Sequence, residues 1–140
     1  MSYVSARAAL SKYKSVNAHS MVEAASPHRL IQMLMEGALE KINVARSHMV
    51  ASQLGEKAQH ITWAISIIDG LRISLDKEQG GEIAQNLEDL YDYMARQLMQ
   101  ANIKNDPAIL DEVTDLLLQI KTAWDVIAPE AGGQSGQPAA

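Results

Sequence analysis

The chain has 140 residues, of which 47% are hydrophobic and 21% charged, with a formal net charge of −5 and no cysteine. This length fits one domain, and the acidic balance argues against a protein that binds nucleic acid or anionic membrane surfaces. The lack of cysteine excludes disulfides, thiolate metal ligands and thiol catalysis, and no stretch resembles a signal peptide or a membrane span.

The first 25 residues have mixed character and are predicted to form an N-terminal segment that leads into the main fold. A short helix fits residues 4–13. Leu10 and Tyr13 are three residues apart, so they share one face of this helix. The segment is either a removable lid over the rest of the protein or a frayed chain end.

Two long helices are predicted next, over residues 26–50 and 56–75. Ser26 is a suitable N-cap, and Pro27 suits the first helical position, where its missing N–H is not needed. The apolar residues recur every three or four positions, which is the spacing of an amphipathic helix. The two predicted core stripes are Leu30, Ile31, Leu34, Ala38, Ile42, Ala45 and Met49, then Ile61, Ala64, Ile65, Ile68, Leu71 and Leu75.

A third helix is predicted over residues 82–104, after a loop at 76–81 that contains two glycines. Asp106 and Pro107 repeat the N-cap and proline signal, and they start a fourth helix over residues 107–128. The core stripes are Ile83, Leu87, Leu90, Met94, Leu98 and Ala101, then Ile109, Val113, Leu116, Ile120, Ala123, Trp124 and Ile127. Residues 129–140 are rich in glycine, glutamine and proline and are predicted to be a disordered tail.

These elements predict an all-α fold, an antiparallel up-down four-helix bundle, because short connections place neighbouring helices side by side. The second helix carries more apolar surface than a bundle needs. Its apolar arc spans on the order of 200°, whereas a surface helix needs about 100°. Trp63 and Ile67 lie at the edge of this arc. They either pack between neighbouring helices or form part of a groove for a partner.

Catalytic, cofactor and metal sites are not indicated. No glutamate precedes a histidine by three residues, as a helical di-metal site requires, and the fingerprints of phosphate loops, dinucleotide sites and hydrolases are missing. The prediction is therefore a protein that is not an enzyme. His60 on the second helix leaves open a histidine phosphotransfer bundle, and the wide apolar arc leaves open a self-associating protein that forms a homodimer.

Three stretches together resemble the flagellar export chaperone family FliS. They are ASPHRLIQMLMEGAL at 25–39, GGEIAQNLEDLYDYM at 80–94 and LMQANIKNDPAILDEV at 98–113, and an Ala-Trp pair follows at 123–124. The likeness extends from about Tyr13 to Ile127. Its specificity lies in the order of the motifs, since each of them alone is weak.

The resemblance implies a cytoplasmic chaperone that binds the C-terminal segment of flagellin. It implies that the chaperone prevents premature polymerisation and supports delivery to the flagellar type III export apparatus. The implied partners are flagellin and the export gate protein, and a co-chaperone is left open. Family members often carry Tyr-x-x-Tyr near the N-terminus, where this chain has Leu10 and Tyr13.

The client is expected to fill an apolar groove that involves the second, third and fourth helices. The resemblance and the apolar excess together give the predicted partner-binding set, which comprises Leu10, Tyr13, Trp63, Ile67, Leu71, Tyr91, Met94, Leu98, Asn102, Leu110 and Leu117.

Overall fold

The computed structural model describes residues 25–127, which form four helices: α1 (Pro27–Val50), α2 (Leu54–Ile73), α3 (Lys77–Lys104) and α4 (Pro107–Val126). Each helix packs against the next one along the chain, and α1 also packs against α4. The connections are so short that consecutive helices run antiparallel. The predicted all-α four-helix bundle is confirmed. The predictions for the tail and for all of the N-terminal segment except Ala25 lie outside the described residues.

The starts of α1 and α4 follow the capping signals of the sequence. The Ser26 Oγ accepts a hydrogen bond from the Arg29 N–H at 3.1 Å, and the Asp106 Oδ1 accepts one from the Ala108 N–H at 3.0 Å. In both helices proline occupies the first turn. Side-chain oxygens thus satisfy N–H groups that have no partner inside the helix.

The bounds of α2 and α3 differ from the predicted 56–75 and 82–104. Helix α2 lies two residues earlier, and α3 gains a first turn because the Asp76 Oδ1 accepts a hydrogen bond from the Gln79 N–H at 3.1 Å. Gly81 then breaks the helix with φ 53° and ψ −124°, a conformation that glycine adopts without strain. The glycine pair therefore marks a kink inside α3 and not a separate loop.

The core lies on the bundle axis and receives residues from all four helices. None of the helices within residues 25–127 is long and apolar enough to cross a membrane. The largest side chains that are fully buried are Leu30, Leu34, Met35, Ile42, Ile61, Ile67, Ile68, Leu71, Met94, Leu98 and Leu110.

The predicted core stripes of α3 and α4 need correction. Ile83 is 72% exposed, whereas Tyr91, outside the predicted stripe, is only 3% exposed. On α4, Leu110 and Leu117 are fully buried although the pattern placed them beyond the core. Both helices carry adjacent apolar residues, so the periodicity permits more than one rotation, and the neighbouring helices decide which side faces inward.

His28 and Trp124 join the start of α1 to the end of α4. The His28 Nε2 donates to the Trp124 carbonyl oxygen at 2.9 Å, and the Trp124 Nε1 donates to the His28 carbonyl oxygen at 3.1 Å. The two rings stack with centroids 4.8 Å apart. His28 is 6% exposed, so this histidine is buried at the joint between the two helices.

Lys57 has a similar role at the opposite end of the bundle. Its side chain is buried, and its Nζ donates to the Asn102 carbonyl oxygen at 2.9 Å and to the Asn105 Oδ1 at 2.6 Å. Asn105 ends α3 in the left-handed conformation, with φ 52°. The lysine therefore satisfies acceptors at the C-terminus of α3, where carbonyl groups lack partners within the helix.

The Lys57→Ala variant should lose about 1–3 kcal/mol of the free energy of unfolding, because two partly buried hydrogen bonds to the end of α3 are lost. Urea unfolding followed by circular dichroism measures this loss. The control is Lys104→Ala, which removes an exposed lysine from the same helix end and should change stability by less than about 0.5 kcal/mol. Equal stability of the two variants would contradict the assigned role.

Candidate functional site

An apolar groove of about 580 Å³ lies at the end of the bundle where α1 and α3 begin and α2 and α4 end. Helix α1 contributes Pro27, Ile31 and Met35, α2 contributes Leu71, and Leu75 lines the groove from the connection between α2 and α3. Met35 and Leu71 are buried and form part of the floor, whereas Ile31 and Leu75 are partly buried and form part of the walls.

The other two helices complete the groove. Ile83, Leu87 and Tyr91 line it from α3, and Ile120 and Trp124 line it from α4. The Gly81 kink lies beside this groove, and Gly80, Ile83 and Ala84 around it belong to the lining. At Gly80 an added Cβ would lie 2.8 Å from the Ala84 Cβ, so the close approach of these two turns requires glycine.

The rim of the groove carries polar groups that already have partners. The Ser74 Oγ donates to the Leu71 carbonyl oxygen at 2.7 Å, and the Trp124 Nε1 is bonded to the His28 carbonyl oxygen. Outside the groove lining, the Lys77 Nζ lies 2.7 Å from a Glu88 oxygen and connects the two parts of α3 across the kink. These groups hold the rim and leave mainly carbon surface inside the groove.

Tyr91 is the exception on the floor. Its ring is buried, and its hydroxyl makes no hydrogen bond within residues 25–127. Burial raises the pKa of the Tyr91 hydroxyl well above its ordinary value, so the group stays neutral and keeps its proton. Tyr93 differs, because its hydroxyl donates to a Glu112 oxygen at 2.6 Å, and this bond also raises the pKa of Tyr93.

The structure brings two of the predicted partner-binding residues, Leu71 and Tyr91, into the groove. Leu10 and Tyr13 lie outside the described residues. Five others are fully buried, so they contribute to the core and not to an open surface; they are Ile67, Met94, Leu98, Leu110 and Leu117. Of the two alternatives for Ile67, packing between helices fits its full burial in the core cluster.

Trp63 and Asn102 lie in two further places. Trp63 is partly buried where α2 faces α1, with the Lys41 Nζ 4.6 Å from the centre of its ring and the His60 ring 5.1 Å away. Asn102 lies beside Lys57 at the far end of α3. Its Oδ1 is enclosed and has no hydrogen-bond partner among the described residues.

His60, the candidate phosphoacceptor, packs against two other aromatic rings. Its Nδ1 donates to the Glu56 carbonyl oxygen at 2.8 Å, and its ring centroid lies 5.3 Å from that of His48. Between residues 25 and 127, no three histidine, aspartate or glutamate side chains are grouped as metal ligands. The histidines of α1 and α2 therefore have structural contacts that account for their positions.

Most of the groove was not predicted from the sequence, because the residues that form the groove walls were assigned to the core stripes. Their periodicity is that of buried positions, yet they lie toward one end of the bundle, where the neighbouring helices leave them partly open. The sequence signal that could have identified these residues is their position toward one end of the bundle. The wall residues in question are Ile31, Leu75, Ile83, Leu87, Ile120 and Trp124.

Comparison with known proteins agrees with this architecture. The family model described as flagellar protein FliS matches residues 9–131. The flagellar secretion chaperone FliSB of Pseudomonas aeruginosa is 49% identical over 120 residues, which cover 86% of this chain and 95% of the relative. The flagellar secretion chaperones FliS of Vibrio cholerae and Salmonella typhimurium are each 45% identical, over 89% of this chain and 91% and 93% of the relatives. This chain belongs to the FliS family of flagellar secretion chaperones.

Proposed function

We propose that this protein binds the C-terminal segment of flagellin in the cytoplasm, prevents its premature polymerisation and supports its delivery to the flagellar type III export apparatus. The observation that carries the proposal is the apolar groove at the kinked end of α3. The names of the relatives support it, because a secretion chaperone needs a surface that holds a polypeptide before export. Residues of all four helices contribute to this surface.

The groove has the physical properties of a peptide-binding site. Its partly buried walls retain apolar surface, and full burial of a large apolar side chain contributes about 1.5–3 kcal/mol. Three or four such contacts offset the entropy that a disordered client loses on binding. An amphipathic helix that places its apolar face in the groove is the expected mode of binding.

The N-terminal segment has a place in this proposal as a cover for the groove in the free protein. Ala25, its last residue, packs against the core, and Pro27 lines the groove, so the chain enters the bundle beside the site. A cover would shield apolar surface that otherwise promotes aggregation. Displacement of residues 1–24 by flagellin would then open the groove to its client.

The export gate protein is proposed as a second partner, which receives the chaperone after the client is bound. Binding of a co-chaperone and formation of a homodimer by the free protein remain hypotheses that come from the sequence alone. The homodimer would use the same apolar surface as the client, so flagellin would compete with self-association. Sedimentation with and without a flagellin peptide distinguishes a homodimer from a monomer that uses residues 1–24 as its cover.

Isothermal titration calorimetry of the full chain with a peptide of the flagellin C-terminus tests the proposal directly. We expect saturable binding with a negative heat-capacity change, because the interface is mainly apolar. A scrambled peptide of the same composition is the control. At concentrations on the order of tens of micromolar, a complex with a binding free energy of about −8 kcal/mol would be fully formed. The absence of both heat and a mobility shift under these conditions would reject the proposal.

A further inference from the structure

The floor of the groove contains one hydrogen-bonding group without a partner, the hydroxyl of Tyr91. The ring is 3% exposed and packs in the core cluster, so its position is fixed. Among the described residues, Asn102 Oδ1 alone is fully enclosed without a hydrogen bond. The Tyr91 hydroxyl is not sealed in this way, and it therefore reaches the surface of the groove that the ring lines.

None of the polar side chains that line the same groove accepts a hydrogen bond from this hydroxyl. The Ser74 Oγ is bonded to the Leu71 carbonyl oxygen, and an Asp76 carboxylate oxygen accepts from the backbone of its own helix. Tyr93, two residues further on, shows the contrasting arrangement, because Glu112 accepts its proton. The Tyr91 hydroxyl is therefore a free donor at the surface of a mainly apolar groove, and a bound partner can supply its acceptor.

We infer that the Tyr91 hydroxyl is the polar anchor of the groove and donates a hydrogen bond to an oxygen acceptor of the bound flagellin segment. This inference rests on the proposed function and deepens it. The acceptor is a backbone carbonyl at a bend or helix end, or a side-chain amide or carboxylate, flanked by apolar residues that fill the walls. A groove lined mainly by carbon selects for apolar content, and a single fixed donor sets the register of the client along it.

The burial of the anchor explains why it would act on register. A hydrogen bond formed in an apolar groove, away from water, depends strongly on geometry, and a client shifted by one residue would leave the hydroxyl unpaired. Phenylalanine retains the ring of Tyr91 and its contacts with the core. The Tyr91→Phe substitution therefore removes the donor and preserves the shape of the groove.

The test is calorimetry of the full-length protein with the flagellin C-terminal peptide, using Tyr91→Phe and the matched control Tyr93→Phe. We expect Kd to rise about tenfold for Tyr91→Phe and to change by less than about twofold for Tyr93→Phe, whose hydroxyl bonds within the bundle. Thermal unfolding of free Tyr91→Phe should match or exceed that of the wild type, because no internal hydrogen bond is lost.

The outcomes separate this inference from the proposed function. No binding by the wild-type protein would reject the proposed function, and the inference with it. Binding by the wild type with an unchanged Kd for Tyr91→Phe would reject the anchor alone. Tighter binding by Tyr91→Phe would also overturn it, since the hydroxyl would then hold residues 1–24 in the groove and compete with the client.

Discussion

Replacing Leu87 with glutamate is expected to weaken binding of the flagellin segment by about 30-fold or more while the bundle stays folded. Leu87 is a partly buried wall of the groove. The substitution removes about 1.5–3 kcal/mol of binding free energy from apolar burial, and it adds a charge that loses its water when the client binds. A loss of about 2 kcal/mol in binding free energy corresponds to a 30-fold rise in Kd. Calorimetry with the flagellin peptide measures the effect.

The matched control is Val50→Glu, at the other end of the bundle. Val50 is 64% exposed at the end of α1 and does not line the groove. Circular dichroism should show the same helix content for both variants. If Leu87→Glu binds the peptide as well as Val50→Glu does, the client contacts another surface, and the groove at the kinked end of α3 is not its site.

Replacing Leu98 with alanine is expected to lower the free energy of unfolding by about 2–5 kcal/mol, because the side chain is fully buried and its removal leaves a cavity. The adjacent Met99 is 54% exposed, so Met99→Ala should change stability by less than about 0.5 kcal/mol. Urea unfolding of the two variants, monitored by circular dichroism, compares buried and exposed positions one residue apart on the same helix.

The Leu98 variant also tests the residue set that the sequence predicted for partner binding. A large loss of stability, with peptide binding retained in the folded fraction, agrees with a core role. Unchanged stability together with lost peptide binding would instead make Leu98 a direct contact. The same logic applies to Met94, Leu110 and Leu117, which are buried in the same cluster.

The helices could be predicted because their signals are local. Ser26 with Pro27 and Asp106 with Pro107 specify helix starts through hydrogen bonds that span two or three residues. Neither the first turn of α3 nor the pairing of His28 with Trp124 was predicted. The turn depends on a single glycine that adopts a left-handed conformation, and the pair joins residues that are 96 positions apart in the chain.

The groove illustrates the limit of periodicity more clearly. A three- or four-residue repeat identifies the apolar side of a helix, but it does not reveal where along that side a neighbouring helix stops. Leu75 and Leu87 have the spacing of core residues and yet line an open groove, whereas Ile67 lies at the edge of the apolar arc and is fully buried. Burial depends on the other helices, whose lengths and rotations are set together.

The four helices, their antiparallel order and the resemblance to the FliS family can all be derived from the amino-acid sequence. Capping residues mark helix starts, short connections place consecutive helices side by side, and the order of the motifs indicates the family. The division of the apolar residues between the core and the groove becomes visible only in the folded protein. Packing is a property of all four helices at once, so it placed the Tyr91 hydroxyl, without a partner, on the floor of that groove.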